Sequence, residues 1–162
     1  PQLKHGVRPD QESSVMRQEV ILSELAARVR RYRGMGQAAK LRKPLIMVVA
    51  KADIWLDVDD ESQLGSEPFV GGDPRKLDET RIQAMSDQVR EIMSRTCPEV
   101  VNIAESFSDH VVYIPVSSLG TSPEYIEEGR YYAIRPSAIS PRWVTVPMLY
   151  ALAQAKVIDR AE

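Results

Sequence analysis

Three features of this sequence predict an α/β fold with three layers, in which a small parallel sheet lies between two layers of helices. Two uninterrupted apolar runs, at 45–50 and 111–116, have no polar alternation, which is typical of parallel strands that are covered on both faces. A stretch at about 74–96 carries an apolar stripe at helical spacing between them. This strand-helix-strand order predicts a right-handed crossover that brings the ends of both strands to one edge of the sheet.

The remaining elements are predicted around this unit. Apolar residues at helical spacing predict a first helix over 11–32, which ends in a run of arginines followed by Gly34. That run favours a solvated basic helix end, with an anion or partner patch as the alternative. Asp73 before Pro74 is the expected cap of the 74–96 helix. We also expect a helix at 99–107, a short hairpin near 131–134 within an irregular segment at 120–142, and a closing helix at 147–158.

Length and composition predict one domain over 1–162, with an exposed acidic loop inserted at 56–73. The formal charge is -2, so there is no broad positive field and we expect no nucleic-acid partner. No apolar run reaches the roughly 20 residues of a membrane span. Cys97 is the single cysteine and is interpreted as a structural thiol, which favours a reducing, cytoplasmic compartment. The absence of an initial Met suggests a piece of a longer protein.

The first apolar run ends directly in Lys51-Ala-Asp53, and this is where the sequence points to chemistry. Guanine presents its N1 hydrogen beside an exocyclic amino group, so one carboxylate can accept both hydrogen bonds, whereas adenine offers no such pair. Asp53 is expected to play this role. Lys51, two positions earlier in an extended segment, would lay its apolar stem along the purine. Trp55 is a candidate wall of the base site, although packing against the sheet is the commoner role.

These residues resemble known motifs. The segment 50–53, Ala-Lys-Ala-Asp, resembles the Asn/Thr-Lys-x-Asp element of Ras-like P-loop GTPases, and Ser-Ser-Leu at 117–119 is similar to their Ser-Ala-Lys/Leu element. Ala50 and Ser118 depart from the usual letters. The tail, with Arg-Pro at 135–136 and Val-Pro at 146–147, is similar to bacterial double-GTPase or GTPase-like domains. The resemblance covers the C-terminal half of such a domain and implies a guanine-binding set comprising Lys51, Asp53, Ser117, Ser118 and Leu119.

A phosphate-binding loop is missing from these 162 residues. The segment at 34–41 only echoes Gly-x4-Gly-Lys-Ser/Thr, because Ala39 replaces the second Gly and Leu41 replaces the hydroxyl that would contact magnesium. It also follows a helix and precedes a strand, whereas a phosphate-binding loop lies between a strand and the helix whose N-terminus binds the phosphates. We therefore expect no catalytic residues, no Mg²⁺ site and no GTP hydrolysis by the chain alone. GTP or GDP would bind together with an upstream half.

Several alternatives remain open at this stage. Lys51 and Asp53 are also compatible with a plain strand end and turn cap, and the two serines with loop residues that satisfy their own backbone. The chain could be a degenerate, nucleotide-free GTPase-like scaffold that binds a protein partner or dimerises through an exposed edge strand. An unrelated Rossmann-like enzyme is a third reading, although His5 and His110 have no visible nucleophile beside them. The guanine hypothesis requires Asp53 and the turn at 117–119 to converge on a common purine-sized pocket.

Overall fold

A computed structural model of the protein describes residues 17–56, 67–74, 76–121, 123–126 and 131–156. The described part is mixed α/β, as predicted. Its elements in chain order are α1 Gln18–Tyr32, β1 Leu45–Val49, α2 Ala52–Trp55, α3 Glu79–Thr96, α4 Pro98–Phe107, β2 Val111–Pro115, β3 Glu124–Ile126, β4 Tyr131–Ala133 and α5 Val146–Gln154. Short 3₁₀ turns occupy Val70–Gly72 and Pro136–Ala138.

The two predicted apolar runs pair in parallel, in a register that aligns Leu45 with Val111 and Val49 with Pro115. Both faces of β2 are covered, since the consecutive residues Val112, Tyr113 and Ile114 are each at most 1% exposed. Consecutive side chains of a strand point to opposite faces, so this burial explains why the run has no polar alternation. The predicted parallel pairing is confirmed, in a sheet of two strands within the described residues.

Helix α3 begins later than the sequence predicted. The carboxylate of Asp78, and not that of Asp73, caps it by accepting a hydrogen bond from the backbone N–H of Arg81 at 2.9 Å. Asp73 instead ends the 3₁₀ turn, after which Leu77 is completely buried. The start predicted at 74 is wrong because Leu77, the residue before the true cap, is anchored in the core and sets the entry of the chain into the helix.

Helix α1 packs on α4, and one of its arginines takes part in that packing. The guanidinium of Arg30 lies over the ring of Phe107, 5.2 Å from its centroid, and donates a hydrogen bond to the carbonyl of Ser106 at 3.1 Å. The interpretation of a uniformly solvated basic helix end is therefore wrong for Arg30. The N-terminal part of the predicted helix, at 11–16, lies outside the described residues, as do most of the predicted acidic loop, at 57–66, and the last residues of the predicted closing helix, at 157–158.

The segment after β2 contains an antiparallel hairpin of β3 and β4, in which the rings of Tyr125 and Tyr132 lie 5.2 Å apart. The chain then returns to the main sheet, where Arg142 pairs with Ser117 in an isolated antiparallel bridge. Helix α5 follows, with Pro147 in its first turn. Among the helices of the described ranges, none combines the length and the apolar character needed to cross a bilayer.

Candidate functional site

The carboxyl ends of β1 and β2 are tied together by backbone hydrogen bonds. The N–H of Val116 donates to the carbonyl of Val49 at 2.9 Å, and the N–H of Ala52 donates to the carbonyl of Val116 at 3.0 Å. Between these bonds Lys51 adopts a left-handed conformation, with φ 57° and ψ 43°. The chain therefore turns sharply after β1 and enters α2 with Ala52 completely buried.

This turn places Asp53 against the loop that follows β2. The hydroxyl of Ser117 donates a hydrogen bond to Oδ1 of Asp53 and accepts one from the backbone N–H of Gly120 at 2.8 Å. Ser117 is completely buried, whereas Asp53 is half-buried. The residues at 53 and 117, which are 64 positions apart in the chain, thus meet directly.

The loop at 117–120 is also held from its other side by the segment at 140–142. Ser117 and Arg142 exchange two backbone hydrogen bonds, at 2.8 and 3.0 Å, and the N–H of Ser140 donates to the carbonyl of Leu119 at 2.8 Å. Gly120 has φ +68°, and a Cβ built on it would lie 1.7 Å from the carbonyl oxygen of Ser140. Only glycine fits there without displacing the backbone.

The five predicted site residues are therefore not equivalent. The backbone N–H of Ser117 is used by Arg142, whereas the N–H groups of Ser118 and Leu119 donate no hydrogen bond within the described part of the chain. Both residues are exposed, Leu119 at 39%. The backbone N–H groups of Ser118 and Leu119 thus have no acceptor among the described residues, whereas the hydroxyl of Ser117 holds Asp53.

The backbone conformation of Lys51 differs from the extended one that the sequence predicted. The sequence argument assumed an extended segment in which Lys51 and Asp53 share one side, but the left-handed backbone at Lys51 and the helical turn of α2 break that alternation. Lys51 is exposed at the mouth of the turn. Trp55 is half-buried and its indole N–H donates to the carbonyl of Ala50 at 3.0 Å, which braces the turn from behind.

Sequence reasoning assigned no role in the site to Gly120, Ser140 or Arg142. They shape the loop through contacts across about 20 residues of chain, and no local motif marks such contacts. Gly120 alone carried a local signal, since a glycine after a strand end is typical of a positive φ.

The shifted pKa values lie in a different part of the molecule, where β2 meets α3 and α4. Arg90 forms a two-pronged ion pair with Glu105, at 2.5 and 3.0 Å. The hydrogen bond from Arg90 lowers the pKa of Glu105, and that pair raises the pKa of Arg90. Burial raises the pKa of Tyr113 to about 12. These groups connect two helices to the sheet and do not reach the strand ends that carry Asp53.

A cavity of about 650 Å³ lies near the start of β2, at the opposite end of the strands from Asp53. His110 and Tyr150 line it, with His110 Nε2 3.4 Å from the Tyr150 hydroxyl. His110 thus has a partner that the sequence did not predict, although a tyrosine hydroxyl is not an activated nucleophile. His5 lies outside the described residues. Within the described ranges, no three His, Cys, Asp or Glu side chains group as a metal site.

No family model matches the chain, and no curated protein or solved structure shows significant similarity to it.

Proposed function

We propose that this chain is the base-recognition part of a guanine-nucleotide-binding, GTPase-like domain that itself supplies no phosphate-binding loop. The observation that carries the proposal is the hydrogen bond from Ser117 to Asp53, because it holds a carboxylate at the end of one parallel strand and beside the loop of the next. Ligands of open parallel sheets bind at this end of the strands.

In this proposal Asp53 accepts the N1 and exocyclic N–H groups of guanine. A carboxylate has about four lone-pair sites, so Asp53 can accept several hydrogen bonds at once, that from Ser117 among them. The amides of Ser118 and Leu119, which have no acceptor among the described residues, donate to the carbonyl oxygen of the base, and the stem of Lys51 covers one face of the purine. The resemblance to Ras-like GTPases, which suggested these roles, supports the same assignment.

The test is a calorimetric or NMR titration of the protein with GDP and with ADP, with and without the sequence that precedes it in the gene. GDP is expected to bind at least about tenfold tighter than ADP, since a lost charged hydrogen bond is worth more than about 1.4 kcal/mol. Asp53→Asn should reverse the preference towards xanthosine diphosphate, whose carbonyl at the same position accepts from the new amide. Asp109→Asn, at the exposed opposite end of the sheet, is the matched control.

Equal binding of GDP and ADP, or an Asp53→Asn variant that keeps the preference for GDP, would reject the proposal. A second candidate is a nucleotide-free GTPase-like scaffold, which is favoured by the lack of a Gly-x4-Gly-Lys-Ser/Thr motif in these 162 residues. That candidate predicts no binding of either nucleotide even when the preceding sequence is included. Neither candidate assigns the chain a catalytic step of its own.

A further inference from the structure

The turn at Trp143 has a strained backbone. Trp143 has φ +54°, in the left-handed region that residues other than glycine rarely adopt, and for a bulky side chain this is a genuine outlier. The side chain is completely buried. A conformation of this kind persists only where the surrounding structure holds it, and such positions concentrate at functional sites. The contacts that hold Trp143 therefore bear on the function of the residues next to it.

Glu67 holds this turn from a distant part of the chain. Its Oε1 accepts a hydrogen bond from the backbone N–H of Trp143 at 2.9 Å, across 76 positions of sequence. Glu67 is half-buried, and Pro68, which follows it, is buried. The carboxylate is thus presented to Trp143 from a segment that is itself anchored in the protein interior.

This hydrogen bond is the one that the described residues give to the carboxylate. The other oxygen of Glu67, Oε2, is buried and has no hydrogen-bond partner among them. Burial of a carboxylate costs free energy unless hydrogen bonds offset it. The contact with Trp143 therefore accounts for the position of this side chain, and it requires an acceptor and not a charge.

Arg142, the residue before the strained turn, pairs with the candidate site. Arg142 and Ser117 exchange two backbone hydrogen bonds, and the hydroxyl of Ser117 donates to Asp53. A continuous series of contacts therefore runs from the carboxylate of Glu67, through the backbone at 142–143, to the carboxylate of Asp53. Each hydrogen bond in this series joins segments that are far apart in sequence.

We propose that Glu67 is a positioning residue of the loop that recognises the base. Its carboxylate fixes the turn at Trp143, and that turn fixes the backbone of Arg142. Arg142 in turn holds Ser117 against Asp53. The consequence for guanine recognition rests on the proposed function, whereas the series of contacts does not. Glu67 acts through these residues and does not touch the base, so loss of its acceptor should loosen the loop and lower the affinity for GDP.

Amide hydrogen exchange of the wild-type protein is the first test. Residues that open as one unit share one free energy of opening, so the protection of Trp143, Ser117 and Arg142 should agree within about tenfold. The amides of Ser118 and Leu119, which have no acceptor among the described residues, should be at least about a hundredfold less protected. If Trp143 is more than about tenfold less protected than Ser117, the proposal is overturned, whatever the variants show.

Two variants with side chains as long as that of glutamate separate the acceptor from the packing. Glu67→Gln keeps an oxygen that accepts from Trp143, whereas Glu67→Met offers only a weakly accepting sulfur. In Glu67→Met the protection of Ser117 and Arg142 should fall at least about tenfold more than that of the ladder between β1 and β2, and in Glu67→Gln it should not. Glu99→Met, at an exposed position of α4, is the matched control and should change neither. A uniform fall over the whole protein, or an equal fall in Glu67→Gln, would overturn the positioning role.

The affinity for GDP separates this inference from the proposed function. In the protein with its preceding sequence, Glu67→Met should weaken GDP binding at least about tenfold and Glu67→Gln less than about threefold, because only the first releases the loop. A wild type that binds no GDP but shows the expected exchange pattern would reject guanine recognition and leave the series of contacts standing. Loss of protection at Ser117 in Glu67→Met with unchanged GDP affinity would instead refute the positioning role.

Discussion

Replacement of Ser117 by alanine tests the contact that unites the two turns. The substitution removes the hydrogen bond donated to Asp53 and leaves the N–H of Gly120 without its acceptor. A hydrogen bond to a charged group contributes about 1.5–3 kcal/mol, and a buried donor left unsatisfied costs about 1–3 kcal/mol. Because Asp53 is half-buried and water reaches it, we take the lower part of that range and expect a loss of about 2 kcal/mol in the free energy of unfolding.

Urea denaturation, followed by the fluorescence of the two tryptophans, measures this loss. With a slope of about 2 kcal/mol per M, the midpoint should fall by about 1 M. Ser118→Ala is the matched control, since Ser118 is exposed, and should change stability by no more than about 0.5 kcal/mol.

A double-mutant cycle with Asp53→Ala isolates the pair. The coupling energy between positions 53 and 117 is expected to exceed about 1 kcal/mol, because the two side chains share one hydrogen bond and contact directly. A coupling below about 0.5 kcal/mol, or a Ser117→Ala variant as stable as Ser118→Ala, would show that the hydroxyl does not hold the carboxylate.

Three further predictions concern the loop and the helix contacts. Gly120→Ala should destabilise the protein by about 2 kcal/mol or more in urea denaturation, since its φ is positive and the new methyl group would meet Ser140; an undisturbed midpoint would contradict this. Ultraviolet titration should show one tyrosine fewer ionising near pH 12 in Tyr113→Phe than in the wild type, and equal titrations would refute this assignment. The wild type should also lose stability between about pH 10 and 12, because in that range Tyr113 ionises in the unfolded protein and not in the folded one. The pKa of Glu105 is lower in the folded protein than its ordinary value of 4.5, so the ionised carboxylate stabilises the protein above that pH, and this stability is lost as the pH falls through the folded value. Glu105→Gln should therefore make the free energy of unfolding less dependent on pH in the acid range, by no more than about 1 kcal/mol because the ion pair with Arg90 is partly exposed. The same acid dependence in the variant and the wild type would exclude this contribution.

Some elements of the fold were predicted correctly from the sequence, and others were not. The two strands and their parallel order followed from uninterrupted apolar runs, and α1, α3 and α5 from apolar residues at helical spacing, because these periodicities record which faces are buried. The start of α3 was predicted wrongly because Asp73-Pro74 and Asp78 are both plausible caps, and burial of Leu77 in the core decides between them.

The candidate site was likewise predicted in part and mispredicted in part. Lys51, Asp53 and the loop at 117–119 are recognisable from their positions at strand ends. The hydrogen bond between Asp53 and Ser117 shows that the two turns meet, whereas a common purine-sized pocket stays a prediction. The backbone of Lys51 was mispredicted as extended, because the bond from Ala52 to Val116 forces the chain to turn. Guanine binding itself stays a prediction.

The sequence by itself determined that two apolar strands and four longer helices form and which polar residues follow the strands, since those properties depend on neighbours within a few positions. Only the tertiary structure decided that Ser117 holds Asp53, that the segment at 140–142 closes the loop over Gly120, and that Ser86 bonds to the outer edge of β2 while no described strand pairs with the outer edge of β1. The physical reason is that each of these depends on satisfying buried polar groups and packing surfaces between residues distant in the chain, which no local pattern encodes.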